Sequence, residues 1–517
     1  MISKIYFTRG EKMVKKLLKG TVTVLYVYVL LFVIINGTLK TVPDTVGTLM
    51  TIVSVGWGIA FLLWAKKKFS QHEQKLEKCF DYVFLLYLTA MFIIQLIPAG
   101  TLKYTPEWDL DAVFGGALSW LNNGDMKEYS DYFLWFPNNF GLLTIYKTVF
   151  TAVNAIWGDN ADYYLVAVIM GSISLTVMRF SVVKICKKLL GTPAAYTAML
   201  LMTMSPVLYF MSEAFYTDVL SMWAAPLAIL LFIYAREAEK PLKKALLYFS
   251  AAVSAAMGAE IKFTVLIIVI ALGLSLLIRG EFKELGMFAV TQLAVFTVVF
   301  AGFNALYDAN FDKELANQMN TPLTHWMMMG VYGDGRYNAA DYEFTRSFSD
   351  TEERDREIKK ELIRRYKERG LDGSHELCRK KTAIDFGDGT LAISDFLDDN
   401  IEKRSEIHEL ITYDGKYYSN WFAACGIFLL ILLISMLAAV SSEKEQSPER
   451  ECVGTALNMC FIGLWIFLMI WEASGRYFSN YYGILLLSAV WGIDSFDVSR
   501  FIGNKIADAE KQVNVET

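Results

Sequence analysis

The chain has 517 residues, of which 54% are hydrophobic and 20% charged, and its net charge is −5. A soluble protein of this length divides into several domains and carries more charge, so that class is excluded. The mean hydropathy of +0.34 fits a membrane protein, in which charge sign is sorted by side rather than summed.

The apolar residues come in blocks of about 20, the length that crosses a bilayer core of about 30 Å. The blocks fall near 20–39, 46–64, 80–98, 163–183, 192–211, 216–235, 245–261, 263–278, 285–306, 421–440, 453–471 and 478–495. The sequence therefore predicts an all-α, polytopic membrane protein with about 12 transmembrane helices. The first block reads as a retained span, because no small-residue cleavage site follows it.

Lysine and arginine placement gives the orientation. "KMVKKLLKG" puts the N-terminus inside, and "AKKKFSQHEQKLEK" returns the chain inside after the second span. The third span then exits outward, into an acidic loop over 99–162. An apolar stretch at 140–157 is ambiguous. If it crossed the membrane, "VKICKKLLG" and "AREAEKPLKKA" would both fall outside. It is therefore expected to lie along the outer interface, which leaves both termini cytoplasmic. The expected units are a membrane module over 1–306, a mixed extracytoplasmic loop subdomain over 307–417, C-terminal membrane helices over 418–497 and a cytoplasmic tail over 498–517.

The outer segment contains one clear helix, "SDTEERDREIKKELIRRYKERG". Asp350 or Thr351 caps it, acids fill its first turn and bases its last, and Gly370 ends it. Ile358, Leu362, Ile363 and Tyr366 make a narrow apolar face. It reads as a solvated, charge-laced helix or as a lid over a site. The six cysteines suggest no disulfide framework and no metal spacing.

Charges at membrane depth are costly and mark function. They gather at the outer ends of the expected spans. "WDLDAVF" holds Asp109 and Asp111. "MSEAFYTD" holds Glu213, Tyr216 and Asp218. "GAEIKFT" holds Glu260 and Lys262. "PLTHWMMMGVYGDGRYN" holds His325 and Arg336. "EASGRYFSNYYG" holds Glu472, Arg476 and Tyr477.

In this order the motifs resemble GT-C type membrane glycosyltransferases, the group that includes protein O-mannosyltransferases and the aminoarabinose transferases of lipid A. The similar elements are the acidic first outer loop and a "PPG"-like Pro137-Asn138-Asn139. After them come Ser205-Pro206, the Tyr216–Asp218 "YTD", a "KPT"-like Lys262-Phe263-Thr264 and "GRYFSNYY". Phe263 stands where the pattern has proline, Asn138-Asn139 follow Pro137 instead of Pro-Gly, and "DLD" replaces a "DE" pair.

The resemblance implies a polyprenyl-phosphate sugar donor and an extracytoplasmic acceptor hydroxyl on a glycan, lipid or protein. It also implies a multi-pass protein of a bacterial plasma membrane, with its site facing outside among membrane lipids. No nucleic-acid partner is expected. The residues suit that chemistry. A lipid phosphate is a good leaving group that needs cations, and the acceptor needs one base. Asp109 or Asp111 is the expected base, and Asp109 is favoured because it could cap the helix entering the site. Lys262 and Arg476 are the expected phosphate partners, with Tyr477, Glu213, Tyr216, Asp218, His325 and Arg336 around the substrate. Glu260 and Lys262 stand two apart and should have separate partners. No cofactor is expected; a divalent cation would use Asp109, Asp111 and Asp218. The rival readings are a secondary transporter and a non-catalytic envelope-polymer assembly subunit of the same fold.

Overall fold

The computed structural model describes residues 2–37, 39, 45–397, 401–439 and 447–496. The expected tail over 498–517 lies outside the described residues. Every regular element among them is helical, with one isolated bridge between Tyr104 and Ile401. The first three helices are α1 (Ile2–Asn36), α2 (Thr45–Gln71) and α3 (Glu73–Leu96). A loop region follows with α4 (Trp108–Asn123), α5 (Ser130–Trp135) and α6 (Phe140–Trp157). Next come α7 (Tyr163–Leu190), α8 (Thr192–Met204), α9 (Thr217–Leu220), α10 (Ala224–Glu237), α11 (Pro241–Ile261), α12 (Leu266–Arg279) and α13 (Phe282–Asn310). A second loop region carries α14 (Lys313–Met319), α15 (Leu323–Gly330), α16 (Ala339–Arg346), α17 (Thr351–Gly387), α18 (Ser394–Leu397) and α19 (His408–Ile411). The chain closes with α20 (Tyr418–Ala438), α21 (Pro448–Ile470) and α22 (Tyr482–Ser495).

Nine helical stretches among the described residues are long and apolar enough to cross a membrane. Four of the twelve expected spans are not among the nine: those at 192–211, 263–278 and 478–495 are short, since α8 has 13 residues, α12 has 14 and α22 has 14, and that at 245–261 falls in α11, which has 21 residues. The stretch over Pro137–Asn160 is among the nine by length and composition.

Ion pairs define one end of the bundle. Lys187 at the end of α7 meets Glu77 at the start of α3 at 3.0 Å, and Lys188 meets Glu237 of α10 at 2.8 Å. Lys244 of α11 meets Glu284 of α13 at 2.8 Å, Lys19 of α1 meets Glu451 of α21 at 2.5 Å, and Arg450 meets Asp494 of α22 at 2.7 Å. The loops expected inside therefore share one end. Half-exposed pairs contribute little stability each, about 1 kcal/mol or less, so they set register more than they hold the bundle.

Close helix packing does the holding. An added Cβ at Gly258 of α11 would stand 2.2 Å from the Ala224 methyl of α10. At Gly492 of α22 it would stand 1.7 Å from the Ser435 carbonyl of α20. Small residues at such crossings let backbones approach, which is how helices gain packing where lipid removes the hydrophobic drive. α22 is buried along most of its length, whereas α2 and α13 turn Trp57, Leu293 and Val298 outward.

α6 keeps both of its ends at the opposite end of the bundle. Phe140 meets Tyr307 near the end of α13 edge to face at 5.2 Å, and Asn154 accepts from Tyr163 at the start of α7 at 3.1 Å. Its Tyr146 donates to the Phe215 carbonyl at 2.5 Å.

The segment 307–417 is helical among its described residues, where a mixed subdomain was expected. Its sequence favours this: Glu361–Arg364, Arg364–Glu368 and Arg365–Glu361 are pairs at helical spacing. Asp350 caps α17, accepting from the Glu353 amide at 2.7 Å. The helix does not end at Gly370. That residue takes φ 62°, ψ −167°, which kinks the chain, and helix resumes to Gly387. The half after the kink docks on the bundle: Arg379 donates to Asn36 Oδ1 of α1 at 3.1 Å, and Phe386 stacks on Phe478 at 5.0 Å. The half before it bears the charged pairs and buries Ile358 alone of the expected apolar face; Ile363 and Tyr366 are exposed.

Candidate active site

α4 begins at the mouth of the site. Trp108 has φ 54° and is 84% exposed, an unusual conformation for a bulky residue. Glu107, not Asp109, occupies the N-cap position, so the expected capping role of Asp109 is corrected; both aspartates sit in the first helical turn. Side chains two apart on a helix point about 200° apart. Asp109 turns into the cluster. Asp111 turns to Tyr129, whose hydroxyl stands 3.4 Å from both carboxylate oxygens. Burial raises the Asp111 carboxyl above its usual range.

Four side chains form a hydrogen-bonded chain that ends at Asp109. The Tyr216 hydroxyl donates to Asn139 Oδ1 at 3.1 Å, and Asn139 Nδ2 donates to the Tyr132 hydroxyl at 2.5 Å. Tyr132 donates to Asp109 Oδ1 at 2.8 Å. Arg476 Nη2 reaches the other oxygen, Oδ2, at 3.4 Å. Asp109 is thus held by both oxygens, yet its side chain stays 41% exposed. It is the open-facing carboxylate of the cluster.

The cations lie behind it. The Arg476 guanidinium sits over the rings of Tyr216 at 5.4 Å, Tyr477 at 5.6 Å and Phe396 at 5.8 Å. Lys262 Nζ is paired with Asp218, whose side chain is 3% exposed, and lies 5.1 Å from the centre of the Tyr477 ring. Lys262 therefore turns inward. Its partner is Asp218, not the Glu260 two residues before it. Among the described residues Arg476 makes one side-chain hydrogen bond, so most of its five N–H donors remain for another acceptor. Glu472 is buried behind Arg476, and burial pushes its carboxyl up to about 7.

The structure brings Asp109, Tyr216, Asp218, Lys262, Arg476 and Tyr477 together and leaves four expected residues outside. Glu213 is buried among tyrosines; Tyr164 donates to its Oε2 at 3.2 Å, and burial pushes it up to about 8. His325 is buried inside the second loop region, 2.7 Å from the Thr345 hydroxyl. Arg336 lies on an exposed turn 3.6 Å from Asp334. Asp111 belongs to Tyr129. The three aspartates considered for a cation are separated in the same way, since Asp218 is tied to Lys262 and Asp109 to Arg476.

Sequence reasoning missed Tyr132, Asn139, Phe396 and Lys381. Asn139 stood in the quoted Pro137–Asn139 element, which was the available signal. Lys381 of α17 is fully buried and donates to the carbonyls of Gly330 at 3.2 Å, of Met469 at 3.0 Å and of Trp471. Asp385, one turn on, accepts from the Ser474 amide at 3.0 Å. α17 thereby grips the strand of chain that leads to Arg476.

The fold and its buried charges define a polytopic α-helical integral membrane protein. No curated protein matches the chain. Residues 7–495 match the family described as conserved hypothetical integral membrane protein, and the chain belongs to that family.

Proposed function

We propose that this protein is a membrane glycosyltransferase. It moves a sugar from a polyprenyl-phosphate donor to an extracytoplasmic acceptor hydroxyl on a glycan, lipid or protein, with inversion. The observation that carries this reading is the meeting of an open carboxylate, Asp109, with two cations, Arg476 and Lys262, from segments far apart in sequence.

In this reading Arg476 and Lys262 hold the donor phosphate. The bond from the anomeric carbon to the phosphate oxygen breaks, and the cations stabilise the charge left on that oxygen. Asp109 takes the acceptor proton as the new carbon–oxygen bond forms on the opposite face. Tyr132 and Asn139 hold the Asp109 carboxylate in place, since one of its oxygens accepts from Tyr132. No cofactor has a part in this scheme.

The same reading takes the helices as about 12 passes, α6 as a helix on the outer surface, and both termini as cytoplasmic. The lysine and arginine bias supports it, as does the sharing of one end by the loops expected inside. The site then faces outward from a bacterial plasma membrane.

One observation favours a second reading, a secondary transporter. The chain between α8 and α10 is discontinuous and buries Glu213 and Asp218, and broken helices bearing charge are a transporter device. Purified protein given a polyprenyl-phosphate sugar and an oligosaccharide acceptor separates the two. Release of polyprenyl phosphate with a new glycosidic bond is expected. Solute uptake into proteoliposomes without turnover would replace transfer with transport.

A further inference from the structure

Glu260 is left over by the scheme above. It ends the apolar helix α11, and among the described residues its carboxylate has neither a hydrogen-bond nor an ion-pair partner. A half-buried carboxylate at membrane depth is costly to keep unless something uses it.

Its side chain lines a cavity of about 250 Å³ between α11, the start of α6 and the chain from the end of α13 through α14. Three carboxamides, Asn304, Asn317 and Asn320, line the same cavity, with Phe140 and Tyr307 as aromatic walls. The cavity abuts the proposed active site. Pro137 is in its wall, two residues before Asn139 of the hydrogen-bonded chain. The first turn of α6 is pressed onto Glu260: a Cβ at Gly141 would stand 2.5 Å from the Glu260 carbonyl oxygen and 3.3 Å from its Oε2.

We propose that this cavity is a saccharide subsite, in which the sugar carrying the acceptor hydroxyl hydrogen-bonds to Glu260 and the three asparagines. This rests on the glycosyl-transfer reading and narrows its acceptor to a glycan. A carboxylate accepts from hydroxyls, and carboxamides both donate and accept, so the set matches a ring of hydroxyl groups. Phe140 and Tyr307 supply apolar surface for the sugar C–H face. A phosphate is disfavoured, because Lys313 is the one cation in the lining; it is 76% exposed at the rim and lies 3.9 Å from Asp308. A lipid tail is disfavoured by the amides. Ligand pockets commonly measure about 300–1,000 Å³, so a cavity of this size takes a single sugar unit.

The test uses the full-length protein in detergent and a panel of free monosaccharides: glucose, galactose, mannose and N-acetylglucosamine. Binding is read by saturation-transfer NMR, and transfer is read with the lipid-linked donor. At least one sugar should bind the wild type. Glu260→Gln and Asn317→Ala should each weaken that binding about tenfold, the loss expected for one good hydrogen bond to a charged group or its neighbour. Asn317 lies on an exposed helix face, so its variant keeps the test meaningful if Glu260→Gln folds poorly. Binding unchanged in both variants, or no sugar bound at all, overturns the subsite. If the wild type transfers sugar while both variants keep the acceptor KM, the subsite is wrong and the transferase reading stands. If sugars bind as described but no donor is ever turned over, the transferase reading and the acceptor role of the cavity both fail, and only a saccharide-binding site is left.

Discussion

Arg476 and Asp109 are 367 residues apart in sequence, and Arg476 Nη2 lies 3.4 Å from Asp109 Oδ2. The contact is long for a charge-assisted hydrogen bond, which is typically about 2.7–2.9 Å. Under the proposed transferase reading a loose pair suits Arg476, which would exchange the Asp109 carboxylate for a donor phosphate without losing a tight partner.

The first expected outcome concerns the base. Asp109→Asn should lower sugar transfer by about 10²–10⁴, the usual worth of a general base, while donor binding stays near normal. Asp111→Asn should change transfer little, because Asp111 faces Tyr129. Arg476→Ala and Lys262→Ala should weaken donor binding as well as turnover. Transfer rate and donor affinity measured for the four variants decide it. If Asp111→Asn loses activity and Asp109→Asn keeps it, the roles are reversed.

The helical class was legible because 20-residue apolar blocks have few alternatives. The divergence of Asp109 and Asp111 was legible too, since helix geometry alone separates positions i and i+2. Partners were not. Lys262 pairs with Asp218, 44 residues away, and nothing in either motif names the other. Lys381 was invisible for a different reason. It lies in "CRKKTAID", where three basic residues stand in a row and only the packing of α17 chooses the buried one. Gly370 misled because a glycine after a basic turn usually ends a helix. Here its positive φ makes a kink, and the continuation is held by contacts to α1 and residues 469–474 that the local sequence does not contain.

The second outcome concerns sidedness. Ser349 is exposed just before the cap of α17. A cysteine placed there, in a background lacking the native cysteines, should react with a membrane-impermeant thiol reagent on intact cells. Labelling that appears only after lysis would invert the orientation and place the Asp109 cluster in the cytoplasm.

The third concerns pH. Burial pushes the His325 imidazole down from 6.5 to about 4. The unfolded chain therefore takes up a proton below about pH 6.5 that the folded protein refuses. The stability that His325 contributes is fully present above that pH and is lost as pH falls toward 4. Apparent melting temperature in detergent should drop over this window in the wild type and drop less in His325→Gln. Parallel curves for the two proteins would show that another group governs the acid transition.

The last outcome concerns Lys381. Its ammonium is buried and donates to three backbone carbonyls, two of them on Met469 and Trp471. Burial pushes its pKa down to about 8, but three carbonyl acceptors and Asp385 one turn away favour the charged form. Lys381→Met leaves those carbonyls without a donor and Asp385 without its nearby cation, and each buried acceptor left unsatisfied costs about 1–3 kcal/mol. Stability should fall, but the informative readout is the donor. Residues 469–474 lead directly to Arg476, so loosening them should raise the donor KM more than it lowers kcat. Lys381→Met/Asp385→Asn should recover part of the melting temperature, because no lone charge is then buried, yet it should not recover the donor KM, because the grip on Trp471 is still missing. A double variant with normal donor KM would mean that α17 merely fills space beside Arg476 and does not position it.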